Sequence, residues 1–136
     1  MSNIEQTLSI IKPDAVERKL EGEIKQIFKD KGFQIVKEKK IQIEKSEAEN
    51  FYKVHETKSF YNDLCTYLAS GPIVVMILEK ENAVFENRQL MGTTNPKDAE
   101  NGTIRKKYGI SIDKNSIHGS DSIENATKEI NFFFQT

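Results

Sequence analysis

The residues of this chain best suited to chemistry gather in one stretch, Asn115-Ser116-Ile117-His118-Gly119-Ser120-Asp121-Ser122. It sets one of only two histidines between an amide and a hydroxyl–carboxylate pair, with a glycine directly after it. A neutral imidazole can exchange protons or act as a nucleophile near neutral pH. Glycine has no Cβ, so a ligand can approach the backbone beside the ring. Asn115, Ser120 and Asp121 could fix the ring's tautomer or meet a polar substrate. Taken alone, the stretch reads more readily as a histidine that ends a strand, with Ser122 capping the next helix. The rest of the chain reverses that reading.

Separated cations supply the second ingredient. Lys12, Arg88 and Arg105 lie far apart in sequence, yet a fold could converge them on phosphate oxygens, which arginine binds bidentately. Thr94 and Asn115 add neutral donors, and Phe60 offers a ring on which a base could stack. The chain has no Walker-type G-x-x-x-x-G-K-S/T, no protein-kinase glycine loop and no G-x-G-x-x-G. Phosphate would therefore be bound by side chains and not by a glycine cradle.

With 136 residues, the chain is expected to form a single domain, 1–136, with a substantial core. A net charge of -1 points away from nucleic acid or an anionic membrane as the main partner, so any anion site is a local cluster. The one cysteine, Cys65, rules out an internal disulfide and reads as a small buried hydrophobe. Few soft ligands argue against a structural zinc site. Met1 to Gln6 show no signal-peptide pattern, and the longest apolar run, Ile73 to Leu78, is too short to span a bilayer. A cytoplasmic location, with no membrane contact, is the expectation.

The elements that must position these residues are legible in outline. Thr7 to Ile11 is a short β-type run that stops at Lys12-Pro13-Asp14, where proline ends the strand and can open a helical turn. Leu20, Ile24, Ile27 and Phe28 have helical spacing, with Gly32 as its stop. Phe33 to Glu44 shows period two, interrupted at Lys37 and Lys39, which predicts a bulge or an edge strand. Ser46-Glu47-Ala48-Glu49 reads as a capping box opening a helix that carries Ala48, Phe51, Tyr52 and His55 on one face. A second short helix carries Phe60, Leu64 and Leu68 and ends at Gly71-Pro72. Ile73 to Leu78 is expected to be a central strand covered on both faces. Asn82 can cap a helix running to about Met91. Gly92 to Ser116 is a long polar connection with one helical turn at Ile104 to Tyr108, of a length that is usually functional or disordered. A last helix follows Ser122, with Glu129 projecting from it and Phe132 to Phe134 packing at its end. Together these pieces suggest an α+β sandwich on one mixed or antiparallel sheet.

These positions resemble a known family. Asn115-Ser116-Ile117-His118-Gly119-Ser120-Asp121 matches the N-x-x-H-G-S-D signature of nucleoside diphosphate kinases. The resemblance extends through Ile11-Lys12-Pro13-Asp14-Ala15-Val16, Gly71-Pro72, Met91-Gly92-Thr93-Thr94-Asn95-Pro96 and Gly102-Thr103-Ile104-Arg105. The spacing is similar to that of shorter, bacterial-type members. Asn101 and Lys19 stand where proline and glycine are common, and the C-terminal extension of longer members is missing after Thr136.

The resemblance implies a ferredoxin-like βαββαβ fold with a four-stranded antiparallel sheet and a long loop at the phosphate site. It implies a ping-pong enzyme in which His118 takes the γ-phosphoryl group of a nucleoside triphosphate, mainly ATP, and gives it to a nucleoside diphosphate. Glu129, with Ser120 nearby, would hold the other ring nitrogen. Lys12, Tyr52 and Asn115 would surround the transferred phosphate and the sugar hydroxyl, and Arg88, Thr94 and Arg105 the phosphates. The base would lie against Phe60, lined by Leu64 and Ile112, in a slot that cannot discriminate strongly among bases. Mg2+ would arrive on the nucleotide, with Asp121 nearest its water shell and no direct protein ligand. The resemblance further implies a homo-oligomer, a tetramer or hexamer built from dimers in which the first helix and second strand pair across the interface, covering Lys37 and Lys39. A catalytically silent nucleotide-binding scaffold is the other class of reading, and it would have to explain why His118, Lys12, Arg105 and Glu129 are all present.

Overall fold

The apolar run Ile73 to Leu78 is the middle of β3 (Ile73–Glu81) in a computed structural model that describes residues 4–111 and 114–134. β1 (Ile4–Ile11) lies antiparallel beside it, with Leu8 opposite Ile77 and Ile10 opposite Val75. β2 (Gln34–Ile41) flanks the other side of β3, and β4 (Ile117–Gly119) flanks β1, so the four-stranded antiparallel sheet has the order β2-β3-β1-β4. With its connecting helices this is the expected ferredoxin-like α+β sandwich.

Strand alternation explains why β3 carries no polar stripe. Val74, Met76 and Leu78 point to one face, where they meet Val16 of α1 (Pro13–Glu17), Ile24 and Phe28 of α2 (Glu21–Asp30) and Met91 of α5 (Ala83–Met91). Ile104 of α6 (Ile104–Tyr108) joins the same cluster. Ile73 and Val75 point to the other face, against Ala48 of α3 (Lys45–Phe51), Cys65 and Leu68 of α4 (Tyr61–Leu68) and Phe133 of α7 (Ile123–Phe133). A strand buried on both sides has no position that favours a polar residue. Cys65 is a fully buried free thiol in this second cluster.

Local chemistry accounts for most boundaries. Pro13 opens α1, Gly32 takes a φ of 88° after α2, and Ser122 Oγ accepts from the Asn125 amide at 3.0 Å to cap α7. The predicted irregularity in β2 is a register shift between Ile35 and Lys37, which leaves Val36 as the extra residue on an edge strand. One cap assignment is corrected. The N-cap of α3 is Glu44, whose amide donates to the Glu47 carboxylate at 3.1 Å, so the capping box begins two residues before Ser46. Asn82 is the N-cap of α5 as expected, its carbonyl accepting from the Glu86 amide at 2.9 Å, but it takes the left-handed region, φ 54°, and its side chain makes no hydrogen bond to the helix. Asparagine reaches that region more cheaply than most residues, which is its use there. Lys19 also has positive φ, 61°, where a Cβ is disfavoured; that is the physical reason a glycine suits this position.

Candidate active site

Alternation along β4 decides where the motif residues face. Ile117 enters the cluster of α2 and α5, so His118 turns to the opposite face and Gly119 turns back toward α5. On its face, His118 Nε2 lies 2.8 Å from Oε1 of Glu129, and Ser120 Oγ donates to the same oxygen at 2.9 Å. Phe51 stands edge-to-face with the imidazole at 5.3 Å and 75°, and Tyr52 does so at 6.4 Å and 85°. With Nε2 engaged by Glu129, Nδ1 is the ring nitrogen left for a reaction. Gly119 borders the cavity in front of the ring, and its missing side chain serves packing as well. A Cβ there would collide with Asn87 Nδ2 and come within 2.8 Å of Met91 Cε, so the missing side chain makes room for α5.

In front of His118 opens a cleft of about 700 Å3. Lys12, Tyr52, Phe60, Leu64, Arg88, Thr94, Arg105, Asn115 and Asp121 all line it, together with His118. Sites dispersed over the whole chain therefore converge as the sequence suggested. Glu129 and Ser120 stand behind His118 and not on the cleft wall. Ile112 lies outside the described residues.

The cations are held in place by backbone and amide groups. Buried Lys12 donates from Nζ to Asn115 Oδ1 at 2.9 Å, and Asn115 Nδ2 donates to the Thr94 carbonyl at 3.1 Å, which ties β1 to both ends of the long connection. Ser116 takes a φ of 75°, a strained region for a residue with a Cβ. It is held there because its Oγ donates to Asp14 at 2.7 Å while its carbonyl accepts from the Lys12 amide at 2.9 Å. Arg18 donates to that same Asp14 carboxylate at 3.0 Å and to the Tyr108 carbonyl at 2.6 Å. Arg105 donates from Nη1 to the Gly92 carbonyl at 3.0 Å and from Nη2 to that of Ile117 at 2.9 Å. Burial, and then the neighbouring charge of Arg88, push the Arg105 guanidinium down to about 10. Burial, reinforced by Glu129, holds the Tyr52 hydroxyl above the usual tyrosine range, so it stays a neutral donor.

Phe60 stands at the cleft mouth, 44% exposed, with its ring 5.9 Å from that of His55. His55 lines the cleft but was read from sequence only as part of a helical face; it sits instead in a 3-10 turn, Lys53–His55, after α3 has ended. Gly92 and Thr93 also line the cleft. They sit inside the Met91-to-Pro96 motif, which was the available signal for them. Among the described residues, Asp121 is the sole acid on the cleft wall, and no group of three or more His, Cys, Asp or Glu side chains is placed to hold a metal. No described helix is long and apolar enough to cross a membrane.

A cleft with Lys12, Arg88 and Arg105 on its walls, an open aromatic ring at its mouth and an imidazole at its floor suits a nucleotide polyphosphate. Comparison with known proteins agrees. Residues 5–136 match the family model described as nucleoside diphosphate kinase. The chain is 55% identical over 131 residues to the nucleoside diphosphate kinase of Campylobacter concisus, covering 96% of each chain. It is 56% identical over 131 residues to that of a Nitratiruptor species, with the same coverage. Among solved structures, the orthorhombic form of the Aquifex aeolicus nucleoside diphosphate kinase superposes with a TM-score of 0.95 at 38% identity, covering 97% of this chain and 96% of the other. The apo nucleoside diphosphate kinase of Encephalitozoon cuniculi gives 0.94 at 38% identity, covering 97% and 90%. The chain belongs to the nucleoside diphosphate kinase family, phosphotransferases that move phosphate between nucleoside tri- and diphosphates.

Proposed function

We propose that this chain is one nucleoside diphosphate kinase domain, residues 1–136, working by a ping-pong mechanism through a phosphohistidine on His118. Nδ1 of His118 attacks the γ-phosphorus of a nucleoside triphosphate, mainly ATP. The bond from that phosphorus to the β,γ-bridging oxygen breaks, and the nucleoside diphosphate leaves with its electron pair. A second nucleoside diphosphate then attacks the phosphohistidine in reverse. The observation that carries this reading is the engagement of Nε2 by Glu129 at 2.8 Å, which leaves Nδ1 for the cation-lined cleft.

The other roles follow from position. Lys12, Arg88 and Arg105 take the phosphate charges, which spread between attacking and leaving atoms in the transition state, and Thr94 adds a donor. Tyr52 and Asn115 meet the transferred phosphate and sugar hydroxyl. Phe60 and Leu64 on the cleft wall, with Ile112 as the family resemblance implies, hold the base by stacking and apolar contact, so purine and pyrimidine, ribo- and deoxyribonucleotides are all accepted. Mg2+ bound to the phosphates would neutralise part of their charge. The single carboxylate of Asp121 fits a metal that the substrate carries, since such an ion needs few protein ligands. Self-association into dimers, and of dimers into tetramers or hexamers, is supported by β2, an edge strand whose Val36 is 38% exposed. A cytoplasmic location is supported by the free thiol of Cys65.

The test is brief incubation with ATP labelled in the γ-phosphate, then acid treatment, then GDP or CDP in a parallel sample. Acid-labile label that passes to either diphosphate is the expected result. Protein that takes no label, or keeps it, is a silent scaffold.

A further inference from the structure

We propose that Phe51 is a positioning residue for the His118 nucleophile, holding the ring against pivoting; this rests on the phosphohistidine reading above. A second hollow, of about 290 Å3, opens on the Glu129 side of the imidazole between α3 and α7. Tyr52, His55, His118 and Asp121 border both this hollow and the front cleft, so the imidazole stands in the partition between them. Phe51 lines the rear hollow and does not line the front cleft.

The ring can turn about its Cβ–Cγ bond, and the hydrogen bond at Nε2 resists that turn only as far as the one contact holds. The edge-to-face contact with Phe51, 5.3 Å between ring centres, blocks that turn from the rear. Phe51 also packs at 5.7 Å against Phe132 and 5.1 Å against Phe133, in the turn after Glu129 on α7. One side chain therefore touches both the imidazole and the helix that carries its hydrogen-bond partner. A ring that pivots away from the Glu129 carboxylate loses the bond that fixes the tautomer presenting Nδ1 as the nucleophile. A displaced Nδ1 loses its alignment with phosphorus, whereas nucleotide binding in the front cleft is untouched.

Full-length F51A and F51L are compared with wild type by steady-state transfer and by 15N spectra of histidine-labelled protein. For F51A we expect kcat to fall about tenfold or more with KM within about twofold, and the His118 signals to change from one tautomer to a mixture. F51L, which fills the space without a ring, should lose about threefold with a smaller spectral change. Wild-type rate and tautomer in both variants overturn the proposal. So does a lost rate with an unchanged tautomer, which would mark Phe51 as merely structural. Should F51A fail to fold, F51L decides by the same criteria. Wild-type protein that takes no label from ATP sinks the phosphohistidine reading itself, whereas labelled wild type with an unaffected F51A sinks only the role of Phe51.

Discussion

Nε2 of His118, on β4, lies 2.8 Å from Oε1 of Glu129, on α7. The strand fixes where the imidazole sits and the helix fixes how it is turned. Ser120 Oγ, donating to the same carboxylate oxygen at 2.9 Å, holds the acceptor still. The two contacts belong to one chain of orientation, and removing either should damage the same step to different degrees.

Replacing Glu129 with glutamine removes the negative charge but keeps the size of the side chain. We expect kcat to fall about 10- to 100-fold with nucleotide KM little changed, because the lost contact orients the nucleophile and touches no substrate. Ser120→Ala should cost less, since the carboxylate still faces Nε2. Stopped-flow phosphorylation of both variants checks the order; a Glu129→Gln variant at wild-type rate would remove Glu129 from the mechanism.

Gly119→Ala tests the packing role of the motif glycine against its role in ligand approach. A Cβ would strike the Asn87 amide and the Met91 thioether, so α5 must shift away from the sheet. The cost of such overpacking is about 1–3 kcal/mol of stability. Urea denaturation measures it. An unchanged midpoint with a raised KM would instead favour the ligand-approach role expected from sequence.

Local pattern carried much of the fold. β3 was legible because burial on both faces leaves an unbroken apolar run, and the bulge in β2 because two lysines break its period. Ser46 was a plausible cap by letter, but Glu44 supplies the same reciprocal chemistry two residues earlier, and only the backbone distinguishes them. The site is a different matter. Lys12 and Asn115 are 103 positions apart and meet only because β1 pairs with β4, a fact that no window of sequence contains. Their convergence was legible only through resemblance to a family. His55 shows the remaining gap: it continues the helical spacing of α3, yet the helix stops at Phe51 and the next turn directs it to the cleft.

All four tyrosines are held above the usual range, burial being the leading cause for each, with Asp14 second for Tyr67 and Glu129 second for Tyr52. An acid raised in the folded state keeps its proton when the unfolded chain loses it near pH 10. Above that pH the unfolded state binds fewer protons, so stability is present below about pH 10 and lost as pH rises beyond it. Absorbance of phenolate near 295 nm should therefore appear together with loss of circular dichroism. Smooth titration near pH 10 with the fold intact would contradict the burial of Tyr52 and Tyr67.

Arg105 brings a buried cation to the cleft, and among the described residues its Nε has no hydrogen-bond partner. Burial and the nearby Arg88 both disfavour its charge while the cleft is empty, so a bound polyphosphate supplies what the free protein lacks. ADP at about 100 times its Kd should stabilise the wild type by about 2.7 kcal/mol. For a chain of this length that is a rise of roughly 8–10 °C in Tm. Arg105→Met loses charge-assisted hydrogen bonds worth about 1.5–3 kcal/mol of binding, so the same ADP concentration should raise its Tm by only roughly 1–5 °C. Without ligand the variant should lose little stability, because the cost of burying the charge disappears along with the bonds to Gly92 and Ile117. Differential scanning calorimetry with and without ADP gives both numbers. An equal ligand shift in the two proteins would mean that Arg105 frames the cleft and does not hold phosphate.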